Sequence, residues 1–149
     1  LLEDAVALCR YTFDASVALL SEVETGLQVH GDRLLLYQLF MNLLVNAAQA
    51  IEKDGEIVVR TRHADDNVIV QISDDGCGIP EDIQPKIFDP FFTTKESDQG
   101  TGLGLSVSHG TIEAHRGTIE VSSEVGEGTE FRICLPTRSR KQIDPENAA

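Results

Sequence analysis

The sequence predicts an α+β two-layer sandwich, a mixed, mostly antiparallel sheet covered by helices on one face. Three observations predict it. A long amphipathic helix opens at Asp32, two pairs of alternating segments read as hairpins, and a second helix separates those pairs. Strands paired in hairpins bury one apolar face, and helices that bury one stripe cover that face.

The chain has 149 residues, 41% of them hydrophobic, which suits one domain with its own core and argues against global disorder. Its formal net charge of -13 argues against a nucleic-acid partner, because phosphate backbones attract clustered Lys and Arg. Cys9, Cys77 and Cys134 stand far apart and outside any CxxC pair, so neither a disulfide framework nor a zinc site is indicated, and a reducing compartment fits. No apolar run reaches the roughly 18 residues that cross a bilayer, and the N-terminus lacks the pattern of a signal peptide.

Leu1 to Thr12 carries apolar residues at helical spacing but starts without a capping residue, which reads either as the end of a longer helix or as a frayed terminus. Ala15 to Ser21 reads as a short strand through Val17, Leu19 and Leu20. Asp32 is then the expected N-cap of the strongest helix, with Gly55 as its C-terminal stop. Leu36, Leu39, Phe40, Leu43, Leu44, Ala47 and Ile51 give it a broad apolar face. Gln38, Asn42, Asn46, Gln49 and Lys53 form a second stripe; Asn is a poor interior helix former, so this stripe is either merely solvated or engaged by something else.

Glu56 to Arg62 and Val68 to Ile72 flank Ala64-Asp65-Asp66-Asn67 as an antiparallel hairpin, whose second strand delivers Asp74. Glu81 to Gln99 is neither strand nor long helix, and its Phe88-Asp89-Pro90-Phe91-Phe92-Thr93-Thr94-Lys95 suits either a functional lid or a loop whose phenylalanines plug the core. A helix from Leu103 to His115 is stopped by Gly117. A hairpin of Thr118 to Ser122 and Thr129 to Leu135 follows around Gly126-Glu127-Gly128. The expected division is residues 1–13 as the end of a preceding helix, 14–136 as the domain, and 137–149 as a polar, disordered tail.

Two glycine clusters bracket one candidate site: Asp74-Asp75-Gly76-Cys77-Gly78-Ile79-Pro80 and Gly100-Thr101-Gly102-Leu103-Gly104-Leu105. The second opens a helix, whose free N–H groups and positive dipole end suit a phosphate. There is no GxxxxGK[ST], and GxGxxG lacks its third glycine, so a third class of nucleotide site is needed. Asp74 can accept from an exocyclic amine, which adenine has and guanine lacks at the corresponding position. Asn46 offers a neutral oxygen suited to Mg²⁺, and Lys95 a local positive charge.

In these residues the chain resembles the catalytic, ATP-binding domain of bacterial sensor histidine kinases, of the GHKL superfamily. Over roughly Gly31 to Pro136, Asn42-Leu43-Leu44-Val45-Asn46-Ala47 resembles the N box and Asp74 to Gly78 the G1 box. Phe88 to Lys95 resembles the F box and Gly100 to Leu105 the G2 box, all in the family's order. The resemblance implies the Bergerat (GHKL ATPase) fold, ATP and Mg²⁺ as cofactors, and a mobile ATP lid from about Glu81 to Gly100. Asp74 would bind the adenine amine, Asn46 the Mg²⁺, Gly76 and Gly78 the base, and Lys95 the phosphates. Gly100, Gly102 and Gly104 would approach the triphosphate, and Ile79, Thr94, Thr101, Leu103 and Leu105 would also bind the nucleotide.

In ATP-hydrolysing relatives a glutamate that activates water stands four residues before the Mg²⁺ asparagine. Here that position is Asn42, a weak base, so transfer to another protein is favoured over hydrolysis. The acceptor histidine of such kinases is followed closely by an acidic residue; His30, His63, His109 and His115 lack that context. The resemblance therefore implies a histidine-bearing dimerisation domain of the same protein as partner, to which residues 1–13 would lead, and a response regulator beyond it. It implies a monomeric domain within a homodimeric, cytoplasmic parent, with membrane anchoring left open. A serine kinase of the anti-sigma type and a non-catalytic nucleotide-responsive module are the alternatives.

Overall fold

The computed structural model describes residues 1–95 and 101–137. Helix α1 (Leu2–Thr12) leads to β1 (Val17–Glu22), α2 (Arg33–Ala50), β2 (Gly55–Ala64) and β3 (Asn67–Asp74). A single 3₁₀ turn at Gln84–Lys86 precedes α3 (Gly104–Ala114), β4 (Thr118–Glu124) and β5 (Gly128–Pro136). The strands form one sheet in the order β1-β2-β3-β5-β4. Among the described residues only β1 and β2 run parallel, which requires the crossover that α2 supplies; the other three described pairings are antiparallel. This is the mixed, mostly antiparallel sheet that the sequence predicts.

Alternation chooses the covered face. Ile57 and Val59 of β2, Val68, Val70 and Ile72 of β3, and Phe131, Ile133 and Leu135 of β5 point into one core with Leu36, Leu39, Phe40, Leu43, Leu44 and Ala47 of α2. Helix α1 adds Ala5, Val6 and Cys9, and α3 adds Ile112. Ile69 is buried on the other side of the sheet, outside this cluster, beside Arg62 and Cys134 in register. No described helix is long and apolar enough to cross a membrane.

The start of α2 is as expected: Asp32 Oδ1 accepts from the Leu34 and Leu35 N–H groups. Its end differs. The helix stops at Ala50, Ile51 turns extended, and Gly55 is the first residue of β2, where its N–H donates to Ser16 O. The Ala50 carbonyl that a glycine cap would have addressed is taken by the Cys77 N–H at 2.9 Å, a tertiary contact that no local signal announces.

The stop of α3 also differs in mechanism. Arg116, not a glycine, adopts the left-handed conformation (φ 57°). Gly117 donates its N–H to Ile112 O and is needed for space, because a Cβ there would stand 2.5 Å from Cys134 O. His115 ties α3 to α2: its Nε2 accepts the Asp32 N–H at 3.0 Å and its Nδ1 contacts Thr111 O at 2.6 Å, which assigns the proton to Nδ1. His109 packs against Phe88 at 5.2 Å. Packing occupies both histidines.

Candidate functional site

A cavity of about 830 Å³ opens between α2, the loop after β3, the segment Phe92–Lys95 and the start of α3. Its size suits a small organic ligand, for which pockets of roughly 300 to 1,000 Å³ are usual. Each wall follows from a local feature of the chain.

The floor is the end of β3, whose last residue, Asp74, is buried with its side chain lining the cavity. Burial pushes the carboxyl above its ordinary range; the N–H groups of Gly76 and Thr129 oppose this, and the neighbouring Asp75 adds to it. The Gly76 N–H reaches Asp74 Oδ1 at 2.9 Å. Thr129 faces Asp74 in the β3–β5 register and also lines the cavity, as does Phe131 two residues on.

Helix α2 supplies the polar wall. Asn42, Asn46 and Gln49 line the cavity, whereas Gln38 is exposed elsewhere and Lys53 borders a smaller cavity of about 430 Å³ beyond the helix end. Lys95 reaches across: its Nζ donates to Asn46 Oδ1 at 3.1 Å and to Gln49 Oε1. Burial lowers its ammonium's pKa below the usual lysine range. Two neutral amide oxygens thus converge on one cation. Among the described residues no three His, Cys, Asp or Glu side chains gather into a metal cage, so a Mg²⁺ ion held here would rely on Asn46, ligand oxygens and water, its common habit. The donor set fits that ion.

The glycines divide by what stands next to them. A Cβ on Gly76 would meet Ala50 O at 2.5 Å, and Gly76 does not line the cavity. Gly78 does line it, with φ +74° and a virtual Cβ 2.1 Å from Glu124 O. Gly102, with φ +70°, presses on the backbone of Phe91 and accepts its N–H at 2.9 Å, so the second glycine cluster and the Phe-rich segment are clamped together. Gly104 has no neighbouring atom within 4 Å of its virtual Cβ. It opens α3 towards the cavity, where the free helical N–H groups concentrate positive potential.

Of the remaining expected residues, Ile79, Thr94, Thr101 and Leu105 line the cavity, Leu103 does not, and Gly100 lies outside the described residues, as do residues 96–99 of the expected lid and 138–149 of the expected tail. The Phe-rich segment is divided: of its three phenylalanines, Phe88 and Phe92 pack against the core and Phe91 is exposed. Sequence reasoning missed Thr129 and Phe131, although the period-two pattern of β5 already placed both on the face of Ile133. It also missed Ser123, whose Oγ accepts the Ile79 N–H at 2.8 Å and stands 2.8 Å from Thr129 Oγ1.

Comparison with known proteins agrees with this geometry. Residues 31–139 match the family described as "Histidine kinase-, DNA gyrase B-, and HSP90-like ATPase". Signal transduction histidine-protein kinase AtoS of Escherichia coli (strain K12) is 47% identical over 124 residues, 82% of this chain and 20% of that protein. The chain thus spans about a fifth of this relative. Among solved structures, the nucleotide-free catalytic domain of histidine kinase ThkA superposes with a TM-score of 0.82 at 32% identity, covering 91% of this chain and 90% of that one. Full-length ShkA in complex with AMPPNP superposes with a TM-score of 0.80 at 25% identity, covering 93% of this chain and 30% of that one. A Bergerat-type sheet, a cavity bounded by the four boxes in order, and relatives that are sensor kinases agree, and the chain belongs to the histidine kinase-, DNA gyrase B- and HSP90-like ATPases as a histidine-kinase catalytic domain.

Proposed function

We propose that this domain binds Mg-ATP and donates the γ-phosphoryl group to a histidine on a separate dimerisation domain of its parent protein. The carrying observation is the polarity of one cavity: a buried carboxylate, Asp74, at the floor, and the open start of α3, with Lys95 and Asn46 on the adjoining walls. That arrangement matches a ligand with a hydrogen-bond donor at one end and a polyanion at the other. The complex of ShkA with AMPPNP, an ATP analogue, supports the same assignment.

Asp74 accepts from the adenine amine, with Thr129 beside it, while Gly78 and Ile79 border the base. Gly102, Gly104 and the N-terminus of α3 receive the phosphates, and Thr94, Thr101 and Leu105 complete that rim. Asn46 would hold Mg²⁺, which when bound would supply positive charge to offset that of the phosphates. Lys95, which donates to the neutral amides of Asn46 and Gln49, is the cation placed to turn from them to the γ-phosphate. An imidazole nitrogen of the acceptor attacks phosphorus in line, the bond to the β-phosphate oxygen breaks, and ADP leaves. Asn42 offers no general base for water, so transfer is favoured over hydrolysis. A response regulator then takes the group.

The test is radiolabelled ATP with this domain, alone and with the histidine-bearing fragment of its parent. Acid-labile, alkali-stable label on the fragment only is expected. Acid-stable label would move the assignment to a serine kinase, and label retained by this chain alone would refute the absent acceptor.

A further inference from the structure

A second hydrogen-bonded cluster stands behind Thr129. Ser123, at the end of β4, accepts the Ile79 N–H at 2.8 Å and lies 2.9 Å from Gly128 O and 2.8 Å from Thr129 Oγ1. The Gln84 amide holds the same place, donating to Ile79 O at 2.9 Å and Ser123 O at 3.0 Å. The Ser123 hydroxyl has one proton and two acceptors in reach. Given to Gly128 O, it leaves Thr129 to donate back to Ser123, and the cavity then meets only Thr129 lone pairs. Given to Thr129 Oγ1, it frees the Thr129 proton for the cavity. Thr129 is buried and stands opposite Asp74 in the register, so the second arrangement sets a donor beside an acceptor.

We propose that Ser123 is a positioning residue for base selection: anchored by the Ile79 N–H, it donates to Thr129 Oγ1 and turns the Thr129 proton towards the ligand beside the Asp74 acceptor. This rests on the adenine assignment above. The edge of adenine presents an amine donor next to a ring-nitrogen acceptor, the complement of Asp74 and Thr129. Hypoxanthine and guanine present a carbonyl and a ring N–H instead, the reverse order. A site with both partners fixed rejects the reversed edge because its polar groups are left unpaired.

The experiment is titration calorimetry of ATP and ITP, with Mg²⁺, on the wild type, Ser123→Ala, Thr129→Val and the double variant. Ser123→Ala is expected to weaken ATP about fivefold, the worth of one hydrogen bond, and to leave ITP nearly unchanged, so that discrimination falls. In the Thr129→Val background, Ser123→Ala should add no further loss, since Ser123 acts through Thr129. A merely structural role through the Ile79 N–H would weaken both nucleotides by the same factor and do so in either background, and that result overturns the proposal. A wild type that fails to bind ATP, or an Asp74→Ala variant that still binds it, overturns the adenine assignment and this inference with it. An unchanged ATP-to-ITP ratio in Ser123→Ala, with binding lost in Asp74→Ala, overturns this inference alone.

Discussion

Gly104→Ala separates two uses of glycine that a sequence motif cannot distinguish. Gly104 is the first residue of α3, has no positive φ, and would place a Cβ in open space. The protein itself therefore has no objection to alanine. Ala exceeds Gly by about 1 kcal/mol in a helix interior, and taking half of that at a terminal position gives about 0.5 kcal/mol, a rise in Tm of roughly 1 to 2 °C without nucleotide. ATP should report the opposite. A methyl between the helix N–H groups and a phosphate that approaches them removes about one charge-assisted hydrogen bond, about 1.5 to 3 kcal/mol, so affinity should fall roughly 10- to 100-fold. Gly102→Ala supplies the contrast, since its φ of +70° and an added Cβ only 2.5 Å from the Phe91 carbonyl carbon make both stability and affinity fall. Thermal melts and titration calorimetry read the two quantities. Wild-type ATP affinity in Gly104→Ala would refute the assignment of α3's N-terminus to the phosphates.

Burial raises the Asp74 pKa, so ionising it costs stability only in the fold: this cost is absent below the unfolded pKa and complete above the folded one. Asp74→Asn should therefore gain stability relative to the wild type as pH rises from about 4 through the raised value, while losing ATP; a pH-independent difference in Tm would contradict this. Leu43→Ala, at a fully buried position of α2, should cost roughly 2 to 5 kcal/mol, whereas Asn46→Ala on the cavity wall should leave the melt nearly unchanged and impair Mg²⁺-dependent nucleotide binding. Equal melting losses in the two variants would contradict the division of α2 into two faces.

Periodic features were legible in the sequence because a single element decides them. The apolar stripe of α2, the Asp32 cap and the alternation of β3 and β5 need no tertiary partner to be recognised, and the structure repeats them. The four boxes were legible in the same way, each being local in sequence. What failed was decided by distant backbone. The end of α2 is set by Cys77, reached from the loop after β3, and the small residue at Gly117 is demanded by Cys134 across the sheet. Ser123 and Thr129 were missed because a hydroxyl on a strand carries no pattern of its own; only the register that brings Thr129 opposite Asp74 gives it a role.

Two of the described charged side chains that line the cavity, Asp74 and Lys95, are both disfavoured in their charged forms by burial. They stand on different walls, and Lys95 finds only the neutral amides of Asn46 and Gln49. A neutral amide repays less of an ammonium's desolvation than an anion does. The cavity is thus held with two incompletely compensated charges, and a ligand with a donor at one end and phosphates at the other compensates both at once. Lys95→Met tests the phosphate end of this pairing. It removes a charge whose burial is costly, so the melt without nucleotide should move by no more than about 1 to 2 °C, well short of the change caused by Leu43→Ala. ATP affinity should fall, and AMP affinity should not, because AMP lacks the phosphates that Lys95 would meet. A variant that loses stability as Leu43→Ala does, or that weakens AMP and ATP alike, would show Lys95 to be a structural tie between the Phe-rich segment and α2.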